Sequence, residues 1–70
     1  MQAELALNMI KRADADNLPD DHDMRKLAIA FDEARDGYFS EKQSCDVRGF
    51  MSAWARARAC WCEYTGEPLI

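Results

Sequence analysis

Apolar residues recur at helical spacing along residues 44–64, the stretch around which the rest of the chain is expected to pack. Their spacing of i, i+3, i+4 and i+7 is that of an amphipathic helix with one buried face. The members of this apolar arc are Val47, Phe50, Met51, Trp54, Ala57, Trp61 and Tyr64. Arg58 lies inside the arc, between the two tryptophans. The pattern predicts a helix roughly 30 Å long that stops at Thr65 and Gly66.

In two earlier segments, apolar residues recur at the same helical spacing, which predicts two more helices. Residues 2–14 share an apolar face made of Ala3, Ala6, Leu7, Ile10 and Ala13. Residues 21–36, extended to Tyr38, share a stripe made of Met24, Leu27, Ala28, Phe31, Ala34 and Tyr38. Asn17 is expected to close the first helix in the left-handed conformation, and Gly37 is expected to close the second in the same way.

Polar side chains mark where the second and third helices begin. The acids that precede the second stripe are interpreted as an N-cap and first-turn acids, which the helix dipole favours. These acids are Asp20, Asp21 and Asp23. The third helix has competing starts, because Ser40 and Gln43 have the form of a capping box while Ser44 and Asp46 are alternative caps.

Together these segments predict an all-α fold in a single helical domain, residues 1–70. The second and third helices are expected to form an antiparallel hairpin, since a short connection joins them, with a shorter N-terminal helix beside it. A chain of 70 residues buries only about 60% of its unfolded surface. We therefore expect a homodimer, in which two copies form a helical bundle and cover the tryptophan face.

The net negative charge of the chain makes some classes of binding partner less favourable than others. The chain has a net charge of -4 and a pI near 4.7, which argues against generic binding to nucleic acid or to anionic membranes. Residues 1–43 contain ten acidic and six basic side chains, whereas residues 44–70 contain three of each. No apolar run approaches the ~20 residues that span a bilayer, and the N-terminus lacks the pattern of a secretion signal. A cytoplasmic protein is expected.

Neither a metal site nor a catalytic site is predicted. The chain has three cysteines and one histidine, His22. Cys60 and Cys62 are two residues apart on a helix, so their thiols point about 200° from each other and do not form a zinc knuckle. Reduced, partly buried thiols are the simpler interpretation, as is usual in a reducing compartment. No nucleophile is paired with a base, and we expect neither an enzyme nor a cofactor.

A DNA-binding function is the main alternative to a protein-interaction function. Three helices, with Arg48, Arg56 and Arg58 on the last of them, resemble a helix-turn-helix layout. The predicted third helix, however, begins with apolar and acidic residues, and the connection before it is longer than the turn of that motif. A small DNA-binding regulator therefore remains the alternative hypothesis.

The candidate contact residues are apolar side chains outside the predicted core. Tyr38 and Phe39 fall at the turn after the second helix, where they either fold back onto Phe50 or form an exposed aromatic anchor. Ile29 lies among charges on the side of its helix opposite the stripe. We predict Tyr38, Phe39 and Ile29 as partner-binding residues.

A second set of residues is assigned to the core or to the dimer interface. These residues are Phe50, Trp54, Arg58 and Trp61. Two arrangements stay open for Arg58. Its stem lies over Trp54 or Trp61 with the guanidinium reaching solvent, or its guanidinium meets an acid across an interface.

The run RGFMSAWARARACWCEYTGEPLI, residues 48–70, resembles small proteins of bacteriophages and prophages. In size, acidic charge and helix plan the chain is also similar to phage-encoded anti-activators and inhibitors, including the phage anti-quorum-sensing proteins. The resemblance implies a dimeric helical hairpin that binds a host protein, such as a LuxR-type transcriptional regulator, and blocks its function. The resemblance does not assign a role to any individual residue of this chain. The expected function is therefore a small non-catalytic interaction protein.

Overall fold

The computed structural model describes residues 2–67, with side chains from residue 5 onward, and this part of the chain is all helical. Its elements are α1 (Gln2–Ala15), α2 (Asp23–Phe39) and α3 (Val47–Thr65), and no strand occurs within residues 2–67. The predicted all-α class and the three helical segments are confirmed. No helix in the same range has both the length and the apolar character needed to cross a lipid bilayer.

The core lies where α2 packs against both α1 and α3. Its buried members are Ala6, Met9, Ala13, Met24, Ala28, Phe31, Phe50 and Ala57. Half of these are alanines, whose small side chains let helix backbones approach closely, while methionine and phenylalanine fill the space between the helices. Phe31, Met9 and Met24 are the largest side chains with no solvent exposure. Helix α2 therefore supplies the centre of the molecule.

Two aromatic contacts define how α2 and α3 lie against each other. Near the start of α2, the ring of His22 meets the edge of Tyr64, close to the end of α3, with ring centroids 5.8 Å apart. Near the end of α2, Tyr38 stacks on Phe50 in the first turn of α3, with centroids 5.0 Å apart. Phe31 also stacks on Phe50, with centroids 5.9 Å apart. Each end of α2 thus has its own partner on α3.

The connection from α1 to α2 is held by backbone and side-chain hydrogen bonds. Asn17 adopts the left-handed conformation, with φ 55°, as predicted. The next amide, Leu18 N–H, donates to the carbonyl of Ala13 at 2.9 Å and so satisfies a helix-end acceptor. The guanidinium of Arg25 donates to the Leu18 carbonyl and to the Asp14 carboxylate, at 2.9 and 2.8 Å. One side chain of α2 thereby fixes the path of this connection.

The cap of α2 differs from the prediction. The helix begins at Asp23, and His22 is the N-cap, with the backbone N–H of Met24 donating to its Nδ1 at 3.1 Å. Asp20 and Asp21 precede the helix, and only Asp23 is a first-turn acid. The assignment of the cap to an aspartate was wrong because the imidazole nitrogen can accept the same hydrogen bond that a carboxylate would. Its ring also packs on Tyr64.

Replacing His22 by alanine is expected to lower the free energy of unfolding by about 1 kcal/mol, because the Met24 N–H loses its acceptor. His22→Asn keeps an acceptor but loses the aromatic ring, so it separates the cap from the ring contact. Urea denaturation followed by circular dichroism measures the difference. The cap assignment fails if the asparagine variant is no more stable than the alanine variant.

Gly37 does not end α2, contrary to the prediction. The helix continues through it to Phe39, and among residues 2–67 the only glycine with positive φ is Gly66. A Cβ built on Gly37 would lie 2.9 Å from both Cys45 Cβ and Ser44 Oγ. The glycine is therefore explained by the close approach of the α2–α3 connection to the helix.

Asp46 starts α3, which resolves the competition among the predicted caps. Its carboxylate accepts from the backbone N–H of Gly49 at 2.8 Å. Ser40 instead follows the end of α2, where its hydroxyl donates to the carbonyl of Gly37 at 3.0 Å. The predicted stop is confirmed, since Gly66 closes α3 in the left-handed conformation with φ 80°.

Candidate protein-interaction surface

The two aromatic residues at the end of α2 have different environments. Tyr38 is half-buried and its ring is parallel to that of Phe50. Phe39 is 69% exposed and touches Phe50 and Tyr38 only with ring edges, at centroid distances of 5.8 and 5.0 Å. Tyr38 folds back onto the core, whereas Phe39 presents most of its ring to solvent.

Two apolar residues of the first turns of α3 are exposed at the same end of the molecule. Val47 is 52% exposed and Met51 is 45% exposed. They are four residues apart, so their side chains lie on one side of α3, adjacent to Phe50. We call Phe39, Val47 and Met51 the Phe39 surface. The apolar arc predicted a buried face that includes Val47 and Met51, but the other helices of the same chain leave both side chains about half exposed here.

The two tryptophans of the same arc are half-buried. Trp54 and Trp61 pack against the core without being enclosed by it. The guanidinium carbon of Arg58 lies 5.3 Å from the centroid of a Trp54 ring, which is a cation–π geometry. This is the contact that the first of the two sequence interpretations required. Trp61 Nε1 donates to a carboxylate oxygen of Glu67 at 2.9 Å, so its polar atom is satisfied at the protein surface.

A second exposed apolar site is a groove between α1 and α2. Its volume is about 240 Å³, and Leu7 and Ile29 on opposite helices are 53% and 51% exposed. The groove is lined by Ala6, Leu7, Ile10, Ala28, Ile29 and Asp32. We call it the Leu7–Ile29 groove. Ile29 is ten residues from Phe39 along α2, about 15 Å by the helical rise, so the structure does not bring Ile29 together with Tyr38 and Phe39.

An open cleft of about 680 Å³, lined by both polar and apolar residues, lies between α2 and α3. His22, Arg56, Cys60 and Glu63 are among the residues that line it. Burial, followed by the charges of Asp23 and Glu63, raises the pKa of the Cys60 thiol. A raised pKa leaves less thiolate at neutral pH, which is the opposite of what an activated nucleophile needs.

Beside this cleft, the end of α3 is tied to the connection that follows α1. The hydroxyl of Tyr64 donates to the carboxylate of Asp16, and the guanidinium carbon of Arg12 lies 5.5 Å from the centroid of the Tyr64 ring. The hydrogen bond from Tyr64, then that from Arg12, lowers the pKa of Asp16, and the same bond raises the pKa of Tyr64. These exposed groups form a structural tether between the helices.

Metal-ligand types do not converge in the part of the chain with described side chains. Within residues 5–67 no group of three or more His, Cys, Asp and Glu side chains could hold a metal ion. Cys45, Cys60 and Cys62 form no disulfide with one another, and all three are half-buried.

The predicted site residues thus fall into two places. Tyr38, Phe39 and Phe50 are in mutual contact, whereas Ile29 belongs to the groove. Sequence reasoning missed Leu7 as a surface residue, although the shallow alanine-rich face of α1 gave a signal that a larger side chain would not be covered. Comparison of the chain with protein-family models, with curated protein sequences and with solved structures found no match.

Proposed function

We propose that this chain is a small non-catalytic interaction protein that binds another protein through the Phe39 surface and blocks it by occlusion. The observation that carries the proposal is the exposure of Phe39, at 69%, in contact with Phe50, whose neighbours on α3, Val47 and Met51, are also exposed. Aromatic residues and methionine are enriched in protein interfaces relative to other surfaces. Phe39 and Met51 are of these types, and together with the exposed Val47 they form an apolar contact site that a partner can cover.

The Phe39 ring is well suited to act as an anchor. It makes edge-to-face contacts with the rings of Phe50 and Tyr38, and Phe50 is itself stacked on the buried Phe31. A ring held in this way loses little conformational freedom on binding, so more of the burial energy appears as affinity. Binding hot spots are typically aromatic side chains of this kind.

The kind of partner is proposed from charge and from the resemblance to phage inhibitors. We propose a host protein, such as a transcriptional regulator, as the target in the cytoplasm. The active form is proposed to be a homodimer in which α2 and α3 form an antiparallel hairpin. A protein is preferred over DNA as the partner because Asp46 caps the N-terminus of α3, which puts a carboxylate where a recognition helix meets phosphates.

The test is affinity capture from a host lysate with the immobilised chain. Phe39→Ser and Met51→Ser are each expected to reduce the amount of captured partner at least tenfold, because truncating a hot spot typically costs about 2 kcal/mol or more. Ala30→Ser, on an exposed part of α2 outside both apolar sites, is the matched control and should capture as the wild type does.

Two results would contradict the proposal. The first is equal capture by the wild type and by both serine variants, provided that thermal denaturation shows all of them folded. The second is retardation of DNA in a mobility-shift assay, weakening steeply as salt rises, since that behaviour reports phosphate contacts and favours the DNA-binding alternative.

A further inference from the structure

The Leu7–Ile29 groove lies in the middle of a charge pattern on α2. Before Ile29, the exposed side of the helix carries Lys26; after Ile29, it carries Glu33. The two charged residues are seven apart, so they lie on the same side of the helix, about two turns from each other, with Ile29 between them. On the groove side, Arg25 and Asp32 repeat the same order of charges. The charged residues of α2 nearest to Ile29 are therefore basic before it and acidic after it, whereas Asp23 and Arg35, further away, have the opposite signs.

This order of charges is unfavourable within one chain. A helix dipole favours acids in the first turn and bases in the last, yet the first four residues of α2 contain two bases beside the acid Asp23, and its last turn contains no base. Arg25 is accounted for, because it binds Asp14 and the Leu18 carbonyl. Among residues with described side chains, neither Lys26 nor Glu33 forms an ion pair. Packing within the chain gives no reason for their arrangement.

We propose that a second copy of this chain docks on the groove, with the two α2 helices antiparallel and crossing at Ile29. With a two-fold axis at Ile29, the basic residues just before Ile29 in one α2 face the acidic residues just after Ile29 in the other. Lys26 then faces Glu33 of the second copy, and the reciprocal pair forms on the other side of the axis. The same contact covers Ile29 and Leu7, which are otherwise exposed apolar side chains.

The charges select a second copy over other occupants. A membrane surface would present anionic groups to a groove whose rim carries Asp32, and the net charge of the chain is also negative. An unrelated helix would need the complementary pattern of charges, whereas an antiparallel copy of α2 provides it by symmetry. The proposal rests on the homodimer of the proposed function, although it does not depend on the Phe39 surface.

Sedimentation equilibrium over a range of concentrations at low salt tests the pairing. Lys26→Glu and Glu33→Lys each put like charges opposite each other twice per dimer, so each is expected to raise the dimer dissociation constant at least tenfold. The double variant Lys26→Glu/Glu33→Lys restores both pairs and should return to within threefold of the wild type. Lys42→Glu and Glu41→Lys, which make the same charge changes in the α2–α3 connection, are matched controls and should stay within threefold.

Mixing the two single variants tests the pairing of Lys26 with Glu33 most directly. In the mixed dimer, the glutamate introduced at position 26 of one chain faces the lysine introduced at position 33 of the other. The native pair of Lys26 and Glu33 forms on the other side of the axis. An equimolar mixture of Lys26→Glu and Glu33→Lys chains should therefore dimerise at least tenfold more tightly than either variant alone.

The possible outcomes show separately whether the chain forms a dimer and whether that dimer forms through the groove. Wild-type chain that stays monomeric at high micromolar concentration would overturn both this interface and the homodimer of the proposed function. If the wild type dimerises but neither Lys26→Glu nor Glu33→Lys changes the dissociation constant, the groove interface alone is overturned. The role of Phe39 in capturing a host protein is tested separately, with the Phe39→Ser variant.

Discussion

Replacing Phe31 by alanine is expected to lower the free energy of unfolding by about 3–5 kcal/mol, the range for truncating a buried phenylalanine. Phe31 has no solvent exposure and lies at the centre of α2, stacked on Phe50. The cavity left behind cannot be filled by alanines, which make up half of the buried core. For a chain of 70 residues the total stability is roughly 4–10 kcal/mol, so this loss is a large fraction of the whole.

Phe39→Ala is the matched control for this prediction, since it removes the same side chain from an exposed position at the end of the same helix. A substitution at such a position is expected to change stability by about 0.5 kcal/mol or less. Urea denaturation monitored by circular dichroism measures both variants. Equal losses for the two would show that Phe31 is not the centre of the core.

Replacing Gly37 by alanine is expected to destabilise the protein by about 1–3 kcal/mol, the usual cost of overpacking. At an open helical position the same substitution would stabilise by about 0.5–1 kcal/mol, because alanine has the higher helix propensity. Here the new methyl group meets Cys45 Cβ and Ser44 Oγ at 2.9 Å. The serine hydroxyl can rotate away, but the Cys45 Cβ moves only with the backbone of the connection. Because this steric strain outweighs the gain in helix propensity, the net change in stability is expected to be unfavourable.

A double-mutant cycle with Cys45→Gly isolates this contact. Gly37→Ala/Cys45→Gly removes the Cβ that the alanine would meet, so Gly37→Ala should cost at least about 1 kcal/mol less in the Cys45→Gly background, within the usual range of coupling between touching residues. Thermal and urea denaturation give the four stabilities. Should Gly37→Ala prove stabilising in the wild-type background, the connection does not press on α2 as described.

The positions of the helices could be predicted because they depend on local patterns. The 3.6-residue period in each segment, the left-handed Asn17 and the left-handed Gly66 all act within a few residues, and each appears in the structure. Gly37 was misassigned because a missing Cβ suits both a left-handed turn and a close approach. Only the fold brings Cys45 to it and decides between the two.

The candidate site was only partly predictable, for a reason of geometry. The apolar arc of α3 indicates which side chains share a face, but it does not indicate how much of that face the other helices cover. Phe50 is buried, whereas Val47, one turn earlier, is half exposed. Phe39 was identified because an aromatic residue at a helix end has few neighbours. Leu7 and Ile29 come together only when α1 packs on α2, which no pattern within either helix specifies.

The separation of the Phe39 surface from the Leu7–Ile29 groove has a consequence for binding strength. A dimer joined through the groove keeps two Phe39 surfaces free, so it is bivalent. Against a target that is itself a dimer, attachment of one surface brings the second to an effective concentration in about the millimolar range. The combined affinity can then exceed that of a single surface by about 10²–10⁴. A substitution confined to the groove would in that case weaken inhibition while leaving the residues that touch the target unchanged.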